Sequence, residues 1–266
     1  MSQNDKASAF AALHVPGDPL ILFNIWDAGS AQAVERAGAK AIASGSASVA
    51  GAYGAADGED VPLEEALANA GRIVASVGVP VTIDFEGGYA VGADAAAANV
   101  ARLAAIGAVG CNFEDQVVGG DGMHPTSLQA QRIAAVRKAV GDDFFINART
   151  DYFLQAKPAD HDSALADAAI ERVRAYADAG ASGFFIPGLT DLELVERIVE
   201  ASPLPVNAMT WPGAPTREQW AGAGIARISY GPGPFRQMQK WLEEAARAEL
   251  DYFRLARPTP ASIVIR

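Results

Sequence analysis

Three stretches of this chain end apolar runs with charged groups. Val79-Pro80-Val81-Thr82-Ile83-Asp84-Phe85-Glu86 and Val109-Gly110-Cys111-Asn112-Phe113-Glu114-Asp115 finish in carboxylates, and Phe144-Phe145-Ile146-Asn147-Ala148-Arg149 finishes in an arginine. Side chains alternate faces along a strand, so Asp84 and Glu86 share a face, as do Asn112 and Glu114, and Asn147 and Arg149. If the strands lie parallel and adjacent, three carboxylates and a cation meet at one sheet end. Packing alone gives no reason to gather like charges there; a divalent cation and an anionic substrate do. Magnesium takes oxygen ligands, keeps several waters and binds one or two carboxylates directly. Asp84 lies deepest and is the expected direct ligand, with Glu86 and Glu114 reaching the ion through water. Asp115 points to the opposite face from Glu114 and is expected to pair with a neighbouring helix.

Other candidates surround this core. The planar fork of Arg149 suits a carboxylate held at two points, either Glu114 or a substrate. Asn207, within a later strand, is a weaker substrate-binding candidate that also reads as a satisfied core amide. The small residues Ser44-Gly45-Ser46-Ala47-Ser48 let a ligand approach the backbone, where successive N–H groups can cradle an anion; a tight turn explains them equally well. The following segment, Gly51-Ala52-Tyr53-Gly54-Ala55-Ala56-Asp57-Gly58, reads as a long loop. From it Asp57 can reach the metal, although a surface turn accounts for it too. Gly119-Gly120-Asp121-Gly122-Met123-His124-Pro125 reads as a flexible lid over the carboxylates. His124, Tyr53 or a metal-bound water are its candidate proton donors. The three histidines lack zinc spacing.

These residues need a scaffold that brings strand ends together. Apolar strand-like runs at 20–24, 41–45, 79–86, 109–115, 144–150, 183–188, 205–210 and 225–231 alternate with helical periods at 30–39, 63–77, 94–106, 127–140, 162–179, 191–201 and 216–223. A short helix at 6–13 precedes them and a last helix runs from about 234 to 255. Ala37-Gly38, Ile106-Gly107, Ala179-Gly180 and Ala223-Gly224 are helix stop signals, and Asp162, Asp191 and Thr216 are N-caps. Eight such units predict an α/β fold, a (β/α)₈ barrel, whose chemistry sits at the C-terminal strand ends. No composition break divides residues 1–266, so one domain is expected.

The 266 residues are half hydrophobic, enough for a large core. A net charge of −11 argues against a nucleic-acid surface. Cys111 is the only cysteine, so no internal disulfide forms and a reducing compartment is expected. Cys111 itself reads as core. With neither a secretory signal nor a membrane-length apolar run, the chain is expected in the cytoplasm, without a membrane partner.

Taken in order, Asn24-Ile25-Trp26-Asp27-Ala28-Gly29-Ser30, Ser44-Gly45-Ser46, Tyr53-Gly54-Ala55-Ala56-Asp57, Asp84-Phe85-Glu86-Gly87-Gly88-Tyr89, Glu114-Asp115 and Asn147-Ala148-Arg149-Thr150-Asp151 resemble the isocitrate lyase / phosphoenolpyruvate mutase superfamily over nearly the whole length. The resemblance implies an enzyme dependent on Mg²⁺, with Mn²⁺ as an alternative, that acts on small 2-oxo or 2-hydroxy acids through an enolate of pyruvate type. It implies Asp84 as principal metal ligand, with Asp57, Glu86 and Glu114 holding the metal's waters. Arg149 and the N–H groups around Ser44, Gly45 and Ser46 are implied as carboxylate binders. A homo-oligomer, dimer or tetramer, with the last barrel helix exchanged between subunits, is implied as well.

The resemblance stops at the reaction-specific parts. The Lys-Lys/Arg-Cys-Gly/Ser-His loop of the isocitrate and methylisocitrate lyases is replaced by Gln116-Val117-Val118-Gly119-Gly120-Asp121-Gly122-Met123-His124. The Lys and Asn that phosphoenolpyruvate mutases carry in this loop are absent, and their tryptophan before Ser-Gly is Ile42. The expected activity is cleavage or formation of a C–C bond beside the carbonyl. Carbon–phosphorus mutase or hydrolase chemistry, or a carboxylate-binding barrel without turnover, are the alternatives.

Overall fold

The computed structural model describes residues 2–255. Eight parallel strands form one sheet in the order β1-β8-β7-β6-β5-β4-β3-β2. They are β1 (Leu20–Leu22), β2 (Ile42–Ala43), β3 (Val81–Asp84), β4 (Gly110–Glu114), β5 (Phe145–Arg149), β6 (Gly183–Phe185), β7 (Val206–Met209) and β8 (Arg227–Ser229). A parallel bridge between Ile25 and Ser44, just beyond β1 and β2, brings the two ends of the sheet together. The result is the expected (β/α)₈ barrel.

Helices follow the strands outside the sheet. They are α1 (Gln3–Ala12), α2 (Ala28–Arg36), α3 (Ser46–Tyr53), α4 (Leu63–Ser76), α5 (Ala93–Ala105), α6 (Thr126–Val140), α7 (Tyr152–Gln155), α8 (Ser163–Asp178), α9 (Leu192–Ala201), α10 (Arg217–Gly222) and α11 (Gly233–Leu255). Their ends follow the cap chemistry. Asp162 accepts from Leu165 N–H, Asp191 from Glu193 and Leu194 N–H, and Thr216 closes a capping box with Gln219. The four stop glycines all adopt positive φ.

Three elements were not expected. The segment 51–58 is not all loop, because α3, with Ser46, Ser48 and Ala50 buried, runs through Tyr53 and stops only at the left-handed Gly54. Two short pieces after β5, α7 and a 3₁₀ turn at Pro158–Asp160, are too brief to leave a period in the sequence.

The barrel interior is layered. At its N-terminal end α1 inserts Phe10 beside Leu20, Leu22, Ala41, Ala43 and Phe145, all buried. The His14 ring stacks on Phe145 with centroids 4.2 Å apart. The middle is polar: Asn112, Asn147, Asn207, Arg227 and Ser229 are each at most 5% exposed. The apolar residues between strands and helices, Cys111 among them, form the main core.

Candidate active site

Strand register assembles the mouth. Asp84 lies opposite Asn112, and Asn112 opposite Asn147, so the three share one rung. Two residues further along, Glu114 faces Arg149. The Asp84 carboxylate accepts from Ser46 N–H at 3.0 Å and from the Asn112 amide at 3.3 Å, while its own N–H donates to Ser44 Oγ at 2.9 Å. Below it, Asn112 Oδ1 accepts from Asn147 at 2.9 Å and from the Arg227 guanidinium at 3.1 Å. Asp84 is therefore fixed from both sides, and its remaining lone pairs face a cavity of about 300 Å³ that Asp57, Asn112 and Arg149 also line.

Glu86 reaches the cluster by another route than strand alternation. β3 stops at Asp84, and Glu86 turns with φ +49°. Its carboxylate accepts from Glu59 N–H at 2.7 Å, and the Glu59 carboxylate accepts from Tyr89 N–H at 2.7 Å. Glu59 and Tyr89 also have left-handed backbones, at φ +61° and +57°. Non-glycine residues in that region are uncommon, and three together mark a place where the fold holds strain.

The acids feel each other. Burial first, then the Asp84 charge, raises the Asp57 carboxyl. The same two causes, with Asp57 added, push Glu86 up to about 8. Burial raises Glu114 well above the carboxylate range, although Arg149 beside it offsets part of this. Burial also penalises the Arg149 cation, but Glu114 and Asp151 outweigh that and keep it charged.

A cation relieves this repulsion. Among the described residues no three Asp, Glu, His or Cys side chains converge closely enough to hold an ion by themselves. The side chains that line the cavity beside Asp84 offer carboxylate oxygen from Asp57 and no histidine or cysteine, a donor set of the kind magnesium takes together with water.

Several expected contributors are engaged elsewhere. The N–H groups of Ser44, Gly45 and Ser46 donate to Thr82 O, Ile25 O and Asp84 Oδ2, because the turn into α3 also closes the barrel. They are not open to a substrate anion; the next N–H, that of Ala47, finds no protein acceptor among the described residues, and Ala47 lines the cavity. Asn207 is a satisfied interior amide, bonded to Asn147, Ser229 and the Arg227 carbonyl, and does not reach the cavity. Tyr53 is 40% exposed, with its hydroxyl accepting from Arg72 at 3.0 Å, because the end of α3 turns it outward.

His124 is buried and lines a separate cavity of about 110 Å³ with Glu59 and Arg132. Its N–H donates to Asp115 O and its carbonyl accepts from Arg172, so the chain there is pinned. The glycine segment before it is folded as a hairpin, bridged from Gln116 to Met123, and Val118 lines that second cavity. The expected lid thus lies over the neighbouring space, not over Asp84. Asp115 behaves as expected, accepting from Arg172 at 3.0 Å and Tyr176 at 2.8 Å on α8.

Sequence reasoning assigned no role to four residues, two of which, Asn24 and Asp151, stand within the motifs quoted above. Asn24 ties the ends of β1, β2 and β8 by accepting from Tyr230 and Gly231 N–H and donating to Ser44 O. Asp151 grips Arg149 through two hydrogen bonds. Arg227, a charge on the inward face of an apolar strand, was visible from alternation alone. Arg236, in the first turn of α11, lines the cavity.

A parallel barrel with an oxygen-only acidic cluster at the C-terminal ends of β3 and β4 is the plan of a barrel enzyme. The chain belongs to the phosphoenolpyruvate phosphomutase family, whose sequence model matches residues 10–250. It is thus an enzyme of the phosphoenolpyruvate mutase / isocitrate lyase superfamily. It is 44% identical to a candidate phosphonomutase from Burkholderia cenocepacia J2315, a structure that covers 93% of this chain and 100% of its own, with a TM-score of 0.91. It is 31% identical to 2-methylisocitrate lyase of Escherichia coli K12 over 260 residues, 91% of this chain and 84% of that one. It is 25% identical to 2,3-dimethylmalate lyase, with a TM-score of 0.79 over 91% of this chain and 86% of that one.

Proposed function

We propose that this protein is a Mg²⁺-dependent lyase that breaks or forms a C–C bond beside the carbonyl or carboxylate of a small 2-oxo or 2-hydroxy acid, by way of an enolate of pyruvate type. The observation that carries the reading is Asp84, fixed by Ser46 and Asn112 and facing a cavity that it shares with a second acid, Asp57, whose carboxyl its charge raises. Asp84 would hold the ion directly, with Asp57, Glu86 and Glu114 holding its waters. Once bound, the ion supplies Lewis-acid stabilisation of charge developing on the substrate oxygen. The chain's part is to orient and neutralise: Ala47 N–H, at the positive end of α3, offers a donor to a carboxylate. Arg149 sets the Glu114 carboxylate at 2.9 Å.

Carbon–phosphorus chemistry is the second reading, favoured by the 44% identity to a candidate phosphonomutase. The exposed Trp241, Leu242 and Leu250 of α11 support a homo-oligomer, dimer or tetramer, covering that helix. Among the described residues no helix is long and apolar enough to cross a membrane, and we place the enzyme in the cytoplasm.

The test is titration calorimetry of Mg²⁺ into wild type and Asp84→Ala, followed by a Mg²⁺-dependent screen of 2-oxo acids, 2-methylisocitrate-like acids and phosphonates for released pyruvate and phosphate. Unchanged Mg²⁺ affinity in Asp84→Ala would sink the metal assignment. Release of phosphate without C–C cleavage would favour the second reading.

A further inference from the structure

The polar middle of the barrel holds a cation that packing does not explain. Arg227 is 1% exposed. Burial lowers its guanidinium to about 9, and the Asp84 charge offsets part of that, so it stays charged at neutral pH. Arg149 and Arg172 pair with carboxylates, but Arg227 forms no ion pair among the described residues. Its Nε and Nη1 also find no partner there. A buried charge without a counter-ion is unfavourable, and an apolar side chain of similar length would fill the same space without that penalty.

Its contacts show what it fixes. Three amides run as a chain towards the mouth. Asn147 Nδ2 donates to Asn207 Oδ1 at 3.1 Å and to Asn112 Oδ1 at 2.9 Å, and Asn112 Nδ2 donates to Asp84 Oδ1 at 3.3 Å. An amide carries a donor on one side and an acceptor on the other, so such a chain keeps its direction only where groups that cannot reverse hold it. Arg227 supplies one at each end. Its backbone carbonyl accepts from Asn207 Nδ2 at 3.0 Å. Its guanidinium, which can only donate, gives Nη2–H to Asn112 Oδ1 at 3.1 Å. Reversal of Asn112 would set its oxygen against the Asp84 carboxylate and its amino group against two donors.

We infer that Arg227 is a positioning residue for the metal ligand: it holds the Asn112 amide with its N–H towards Asp84, and so fixes the Asp84 lone pairs that face the cavity. This rests on the proposed metal site at Asp84. The charge of Arg227 acts on a bound dication in the opposite sense, because like charges repel. Positioning and charge therefore predict different behaviour in neutral variants.

The test is titration calorimetry of Mg²⁺ into wild type, Arg227→Lys, Arg227→Gln and Arg227→Met, and into Asn112→Ala alone and combined with Arg227→Met. Arg227→Met should bind Mg²⁺ about tenfold more weakly than wild type. Arg227→Lys, still charged and still donor-only, should recover affinity to within about threefold. Arg227→Gln, neutral and reversible, should bind more weakly than Arg227→Lys. In the Asn112→Ala background, Arg227→Met should bring no further weakening. The electron paramagnetic resonance spectrum of bound Mn²⁺ should change in Arg227→Met and match wild type in Arg227→Lys. Thermal unfolding of the metal-free proteins checks that the variants fold, and Arg227→Gln carries the comparison if Arg227→Met does not.

Tighter Mg²⁺ binding in the neutral variants would overturn the inference, since Arg227 would then act through its charge alone. Unchanged affinity, no recovery in Arg227→Lys, or a full loss that persists without Asn112 would overturn it too. A wild type that binds no Mg²⁺, or an Asp84→Ala variant of unchanged affinity, would instead overturn the metal reading. Urea unfolding of the metal-free proteins would then decide the role of Arg227: non-additive losses for Arg227→Met and Asn112→Ala support its hold on Asn112, and additive losses overturn it.

Discussion

Replacing Arg149 with lysine separates a positioning role from a substrate-binding one. The guanidinium holds two carboxylates: Asp151 through two bonds and Glu114 through one. The acid side chains are 1% and 5% exposed, so neither can turn to water when its partner goes. A lysine ammonium keeps the charge but cannot span both acids with the same fork. One acid is then left buried without its partner, which in such pairs costs roughly 3–5 kcal/mol. Protonation of the stranded carboxyl moderates this, so a loss of about 3 kcal/mol is expected. Urea denaturation followed by tryptophan fluorescence measures it, with the slope checked so that a changed midpoint reports stability. Oxalate affinity, measured below the transition on the same sample, should fall much less. A stability loss under about 1 kcal/mol together with a tenfold drop in oxalate affinity would refute the argument, because Arg149 would then be a ligand and not a brace.

Other perturbations test the remaining parts. Glu86, raised to about 8, holds its proton at neutral pH in the metal-free enzyme, so Mg²⁺ binding should release protons and tighten as pH rises through about 8. By the same linkage the metal-free fold loses stability as pH climbs from the ordinary glutamate range to about 8, because the native state then holds the extra proton. Glu86→Gln should remove both effects, which calorimetry in buffers of different ionisation heat would show. Burial lowers His14 to about 3, so it stays neutral in the folded protein while the unfolded chain protonates below its ordinary value. Stability should therefore fall by about 2 kcal/mol between pH 7 and pH 5, and His14→Leu should flatten that slope. Persistence of the full slope in the variant would assign it to another group. Isocitrate cleavage should be negligible, since the hairpin after Glu114 carries no cysteine; turnover at ~1–10³ s⁻¹ would show that the loop does not set specificity.

Much of the scaffold could be read along the chain. Strand and helix periods are local properties, and so are the caps at Asp162, Asp191 and Thr216 and the glycine stops, which is why the barrel was legible before any contact was known. Alternation also placed Asp84, Asn112, Glu114 and Arg149 on the inward face and Asp115 on the outward one, where α8 receives it. What alternation cannot supply is a partner. The N–H groups of Ser44, Gly45 and Ser46 looked available for substrate, yet folding commits them to Thr82, Ile25 and Asp84, and it braces Arg149 between Asp151 and Glu114 at the cavity wall. Tyr53 and His124 lie near the acids in sequence pattern, but α3 and the pinned hairpin turn them away. Arg227 meets Asn112 across 115 positions of chain, and Arg236 joins the cavity only because β8 closes the barrel. Period is set by each residue's immediate neighbours. Whether a polar group is spent or free depends on which distant groups the closed barrel brings within 3 Å of it, and that is decided by tertiary structure alone.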